Sequence, residues 1–375
     1  MKSTEAKKHI FLPNLNGLRF LGALLVFIFH IFTLEKEIWG DFFSTPVFQG
    51  IFKIASKGHH GVGLFFALSG FLITFLLLSE IEKKGTINVP HFLMRRVLRI
   101  WPLYFIILLF GFLIFPHLPY GIETIHSPFF YAVFLSNLDE IWVGAFDSLN
   151  FLTITWSVSI EEQFYLVWIA LLGVLPFFRN GKLFPYYFGL IILASVVFRF
   201  LNHADERTMY YHTFAVMSDL AIGGLAAFAV KKAELGQRIA QLNKWLILLI
   251  YAIGILCLIA STKIFQGEMR SIERLIQGAF FAFIVVEQVY CQNSFFKMDR
   301  IPGFKFAGDL TYGFYMYHCI FIYYWSIFFE NQGWTNSTGY FILYTAVVFS
   351  STYLLALFSM KYIERPILKL KDRFR

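Results

Sequence analysis

GVGLFFALSGFLITFLLLS, residues 61–79, carries no charged side chain. A helix rises 1.5 Å per residue, so a stretch of this length reaches across most of the roughly 30 Å hydrocarbon core of a bilayer. Lipid offers backbone amides and carbonyls no hydrogen bonds, and the stretch is too long for a barrel strand, so it predicts a membrane-spanning helix. Working outward, comparable apolar stretches fall at about residues 15–33, 98–115, 155–176, 185–202, 211–229, 245–261, 272–290, 308–329 and 338–360. The composition agrees: 375 residues are 58% hydrophobic and 15% charged, whereas soluble domains run at about 45–50% and 25%. The expectation is an all-α polytopic membrane protein of about ten transmembrane helices enclosing a polar cavity.

The cations divide unequally between the intervening segments. Twenty-three lie on the side holding both termini, among them Lys83, Lys84, Arg95, Arg96, Arg99, Lys231, Lys232, Lys361 and Arg365; eight lie opposite, among them Lys57, Arg199 and Arg274. The richer side is the cytoplasmic one, which predicts a multi-pass protein of a cytoplasmic-type membrane with both termini inside. Membrane lipids account for the net charge of +8, and no nucleic-acid-binding motif is present. The run from Leu15 lacks a small-residue cleavage site and reads as a retained first span. Cys257, Cys291 and Cys319 show no pairing expected of a disulfide framework or thiol metal site. Residues 116–153 form a long extracytoplasmic connection, with Glu123, Asp139, Glu140 and Asp147, whose aromatic residues predict a short helix folded back against the membrane.

Polar side chains interrupt the spans in a few places. In NLNGLRFLGALLVFIFH, residues 14–30, Arg19 and His30 stand about 16 Å apart along a helix and cannot touch. Arg19 can snorkel to the cytoplasmic surface; His30 lies deeper, either a core histidine with both nitrogens satisfied or a base able to take a proton from a hydroxyl. His59 and His60 read as a loop boundary rather than a metal site. Ser69 and Gly70 permit close helix packing, and Ser69 lacks the surroundings of a nucleophile elbow. In HFLMRRVLRIWPLY, residues 91–104, Arg96 and Arg99 share a helical face and Pro102 constrains the entry to the span. They serve topology or clamp a phosphate, helped by a helix amino end. In TWSVSIEEQFYLVW, residues 155–168, Ser157, Glu161 and Tyr165 line one face and Glu162 the next. Asp219 precedes a small-residue stretch in which Gly223 and Ala227 mark close packing. Tyr312, Tyr315, Tyr317 and His318 read as an interfacial aromatic belt or a polar cluster. Glu364 and Arg365 read as end anchors.

The order and spacing of NLNGLRF with His30, GVGLFFALSGFLIT (61–74), FLMRRVLRIWPLY (92–104), TWSVSIEEQFY (155–165), LTYGFYMYH (310–318) and YIERP (362–366) resemble the membrane acyltransferase-3 family across almost the whole chain. Asn16 and Gly63 stand where the family usually presents Asp. The resemblance implies a single membrane acyltransferase domain over residues 1–375 and a catalytic cavity, with His30, Glu161 and Glu162 as catalytic residues. It places Arg19, Arg96 and Arg99 at the donor and makes Ser69, Tyr165, Tyr312 and His318 supporting candidates; no metal is implied. It further implies no bound cofactor, an acyl-CoA donor, acetyl-CoA in many members, and a saccharide, glycoside or glycolipid acceptor. Many relatives append an extracytoplasmic hydrolase-like domain; this chain is expected to carry the membrane module alone. Transfer is either direct or through an acyl-enzyme on a residue such as Ser69. The competing reading is a proton-coupled transporter of a polar solute or glycolipid, using His30 with Glu161 or Glu162.

Overall fold

A computed structural model describes residues 12–34, 36–144, 151–174 and 181–374; Lys2, Lys7, Lys8, Asp147, Arg179 and Arg375 lie outside them. Each apolar stretch forms a helix: α1 Leu15–Thr33, α2 His60–Lys84, α3 Val89–Leu109, α4 Thr155–Val174, α5 Phe184–Leu201, α6 Thr213–Lys232, α7 Lys244–Ile259, α8 Arg270–Tyr290, α9 Phe304–Asn331 and α10 Thr338–Ser359. Among the described residues six segments are long and apolar enough to cross a membrane, Leu15–Thr33, Pro46–Lys84, Val89–His117, Phe184–Leu201, Glu206–Lys232 and Thr338–Phe374. The chain is an all-α, multi-pass membrane protein.

Small residues set the packing at its centre, where α2 lies against α6. A Cβ on Gly70 would run into the Leu220 carbonyl, and one on Gly223 into that of Ala67. Such close backbone approach supplies the dispersion contacts that hold helices together where lipid removes the hydrophobic driving force. Ala227 is fully buried on the same helix. The sequence reading of Gly70, Gly223 and Ala227 as packing positions therefore holds, while Ser69 turns to a polar contact. The helix α1 is clasped between α2 and α9, which carries its polar residues into the interior.

Three expectations change. Pro102 lies inside α3 rather than at its entry; the helix starts a full thirteen residues earlier, where the Asn88 side chain accepts from the His91 amide at 3.1 Å and Pro90 occupies the first turn. Arg96 and Arg99 are consequently far from that amino end and gain nothing from it. The tyrosines of α9 form no interfacial belt: Tyr315, Tyr317 and His318 are buried, with the Tyr317 hydroxyl 3.0 Å from Ser359. Glu364 is no surface anchor. A π-helical turn over Met360–Glu364 carries it inward, where it accepts from Ser359 at 3.0 Å and lies in electrostatic range of Arg99.

The connection before α4 holds two short helices rather than one, Pro128–Ala132 and Ser136–Val143. Two of its acids are buried, Asp139 2.6 Å from His126 Nδ1 and Glu140 accepting from the Tyr131 hydroxyl at 2.7 Å, while Glu123 is exposed.

Candidate active site

Arg19 of α1, Arg96 and Arg99 of α3, and Ser157, Glu161 and Tyr165 of α4 meet around one cavity of about 110 Å³. Ser69 of α2 and Thr311, Tyr312 and Tyr315 of α9 add further polar groups to its wall. The four-residue spacing in α4 produces this face, since positions i, i+4 and i+8 stack on one side of a helix. Glu161 accepts from the Ser69 hydroxyl at 2.9 Å and from the Tyr165 hydroxyl at 3.1 Å, so both its oxygens are engaged by neutral donors. The Arg96 guanidinium lies over the Tyr165 ring, 5.0 Å from its centroid. Tyr312 donates to the Ile100 carbonyl at 2.9 Å, tying α9 to α3.

Among the described residues, neither Arg19, Arg96 nor Arg99 forms an ion pair within 4.0 Å. Arg19 bends back one helical turn towards the start of α1. Its Nη1 donates to the Asn16 side-chain oxygen at 2.8 Å, and the Asn16 amide donates in turn to Asp309 at 2.8 Å. The amide thus links the guanidinium to a carboxylate borrowed from α9. Glu162 faces away from the cavity and accepts from the Trp101 indole at 2.9 Å.

His30 is not part of this wall. It pairs with His318, whose Nε2 lies 2.7 Å from His30 Nδ1, the rings nearly parallel at 17°. The tautomers follow from the far end. His318 Nδ1 is 2.6 Å from the Tyr315 carbonyl, which can only accept, so this nitrogen carries hydrogen. His318 Nε2 of the neutral ring then accepts from His30 Nδ1, leaving a lone pair on His30 Nε2. Cys319 Sγ closes the cluster at 3.3 Å from His318 and 3.6 Å from His30. The three ligand-type atoms lie within 4.8 Å of one another, a grouping the sequence reading missed. Nitrogens bound to one tetrahedral metal at about 2.0–2.1 Å each would stand wider apart than 2.7 Å, so the arrangement fits a hydrogen-bonded relay better.

Tyr315 joins the two groups. Its ring borders the arginine cavity, its hydroxyl lies 2.9 Å from Ser157 Oγ, and its carbonyl holds His318 one turn on. The sequence named Tyr315 without giving it a role; Asp309, Trp101 and Glu364 were also missed as members of the site.

The family model described as an acyltransferase domain matches residues 12–359. The chain belongs to the acyltransferase-3 family. It is 27% identical to the peptidoglycan O-acetyltransferase OatA of Listeria monocytogenes over 98% of its own length and 58% of that protein's. It is 26% identical to the O-acetyltransferase OatA of Staphylococcus aureus, over 96% of the chain and 57% of the relative. A putative O-acetyltransferase of Staphylococcus aureus, SACOL0978, is 27% identical over 98% and 59%. The chain thus spans under two thirds of the length of these relatives. No solved structure matches it. Membership places the chain among the membrane acyltransferase domains.

Proposed function

We propose that this domain transfers an acetyl or other short acyl group from cytoplasmic acyl-CoA to a hydroxyl of an extracytoplasmic saccharide or glycoside, within a bundle that crosses the membrane about ten times. The observation that carries this is the set of three guanidiniums sharing one cavity without an ion pair among the described residues. Unneutralised cations held together in a partly buried site are costly unless an anion joins them, and guanidinium forks match phosphate oxygens. The phosphates of CoA supply that anion, while the pantetheine arm runs past Tyr315 towards His30. The cationic bias of the loops favours the Arg96 end as cytoplasmic.

At the thioester, His30 Nε2 takes the proton of the acceptor hydroxyl as its oxygen attacks the carbonyl carbon. The C–O bond forms, the C–S bond breaks, and the departing thiolate receives that proton from the imidazolium, giving ester and free CoA. His318 holds His30 in the required tautomer. Glu161 keeps Ser69 and Tyr165 in place beside the donor, and Glu162 braces the neighbouring face through Trp101.

Donor-binding isotherms on the purified protein test the assignment. Arg96→Ala and Arg99→Ala should weaken acetyl-CoA binding at least tenfold, and Arg→Lys exchange should weaken it less, since charge survives while the fork is lost. Unchanged affinity in both alanine variants would overturn the donor site.

A further inference from the structure

A second cavity, of about 430 Å³, opens at the opposite end of the bundle from Arg96. The start of α2, the end of α5, the start of α8 and the segments at 206–211 and 261–267 wall it. These are the ends that lie level with the His30 end of α1.

Its charges are arranged unlike those of the arginine cavity. Three guanidiniums border it, and each has a carboxylate: Arg274 meets Asp219 at 2.6 Å, Arg270 meets Glu206 at 3.4 Å, and Arg199 lies 3.8 Å from Glu273. Arg199 is further occupied by the carbonyls of Arg270, Met209 and Ala215. Lys57, at the rim, reaches the hydroxyls of Ser261 and Thr262 at 3.5 and 3.4 Å. Gly63 contributes no side chain, and a Cβ there would stand 3.4 Å from the Asp219 carboxylate. With its guanidiniums paired, the wall offers an anion little beyond Lys57 at the rim, but it presents many fixed donors and acceptors.

Two imidazoles give that wall unused capacity. His60 is 8% exposed and its Nε2 has no partner among the described residues, which is expensive for a buried polar atom. His59 Nδ1 donates to the Ser56 carbonyl at 2.7 Å, so in the neutral ring its Nε2 keeps a lone pair. Tyr210 and Phe265 add apolar ring faces to the same wall. The His59 ring is 5.6 Å from Phe29, itself 5.0 Å from His30, so a single phenyl ring separates this wall from the proposed base.

The geometry points to this outer cavity as the acceptor subsite, taking an uncharged, hydroxyl-rich saccharide through His59, His60 and the hydroxyls of Ser261 and Thr262. The inference rests on the acyl-transfer reading above and names the site that holds its acceptor. Hydroxyls that both donate and accept satisfy the imidazole lone pairs, and sugar C–H faces pack on Tyr210 and Phe265.

Direct binding separates the two readings. Full-length protein in lipid nanodiscs is titrated with an uncharged N-acetylglucosamine tetramer and with a carboxylate-bearing tetramer of the same length, alongside acetyl-CoA titration and assay of transfer. The uncharged probe is expected to bind at least tenfold tighter than the acidic one. His60→Gln and Thr262→Trp, which alters the exposed rim, are expected to weaken its binding at least tenfold while acetyl-CoA affinity stays within twofold, the latter also showing that the variants fold. Tighter binding of the acidic probe, no binding of either, or full binding by both variants would overturn the acceptor subsite. Binding that the variants abolish, in a wild-type protein that never acylates the saccharide, would overturn the transfer reading and leave the saccharide site standing.

Discussion

In the proposed mechanism, His318 sets which nitrogen of His30 faces the acceptor. Because the Tyr315 carbonyl can only accept, it fixes the His318 tautomer, and that tautomer fixes His30. Loss of the proposed base, His30→Ala, should lower kcat by about 10²–10⁴ while leaving acetyl-CoA affinity unchanged. His318→Ala should lower kcat by on the order of 10², the scale of a misplaced catalytic group, again without weakening donor binding. Cys319→Ser should stay within a few-fold of wild type, since the thiol borders the relay without transmitting it. Steady-state kinetics with donor isotherms check all three; normal turnover in His318→Ala would contradict the relay. These roles were only half legible. Glu161 and Tyr165 announced their shared face by spacing within one helix, whereas His30 and His318 are 288 residues apart and nothing in either segment specifies the other. Asn16 shows the same limit, since its link to Asp309 depends on how α1 meets α9.

At the level of elements, apolar length was enough to locate every long helix, because a bilayer dictates that length. What it could not show were the irregular turns. The π-helical turn that buries Glu364 leaves no apolar signature, and Pro102 was read as a boundary because a proline usually is one, although here it sits within α3. The α2–α6 contact can be tested through its glycines. Gly70→Ala and Gly223→Ala each place a Cβ against a facing carbonyl and should destabilise by about 1–3 kcal/mol. Gly189→Ala, on α5 with nothing within 4 Å, should be neutral or mildly stabilising, as alanine is the better helix former. Thermal unfolding in detergent reads the difference. If Gly70→Ala melted with wild type, close backbone approach would not be what fastens these helices.

Across the whole molecule, two cavities with opposite charge logic lie towards opposite ends of one bundle. The cavity at the Arg96 end gathers three guanidiniums with no ion pair among the described residues, and the one at the His59 end pairs each guanidinium with an acid. The His30–His318 relay stands between them, about 16 Å along α1 from Arg19. That arrangement lets a membrane keep donor and acceptor on separate sides while the reacting atoms meet. The most direct measurement uses protein reconstituted in vesicles with known orientation, with membrane-impermeant labelled acetyl-CoA and saccharide supplied on chosen sides. The account expects acylated saccharide only when acetyl-CoA is at the Arg96 face and saccharide at the His59 face; robust product with both substrates confined to the Arg96 face would contradict it.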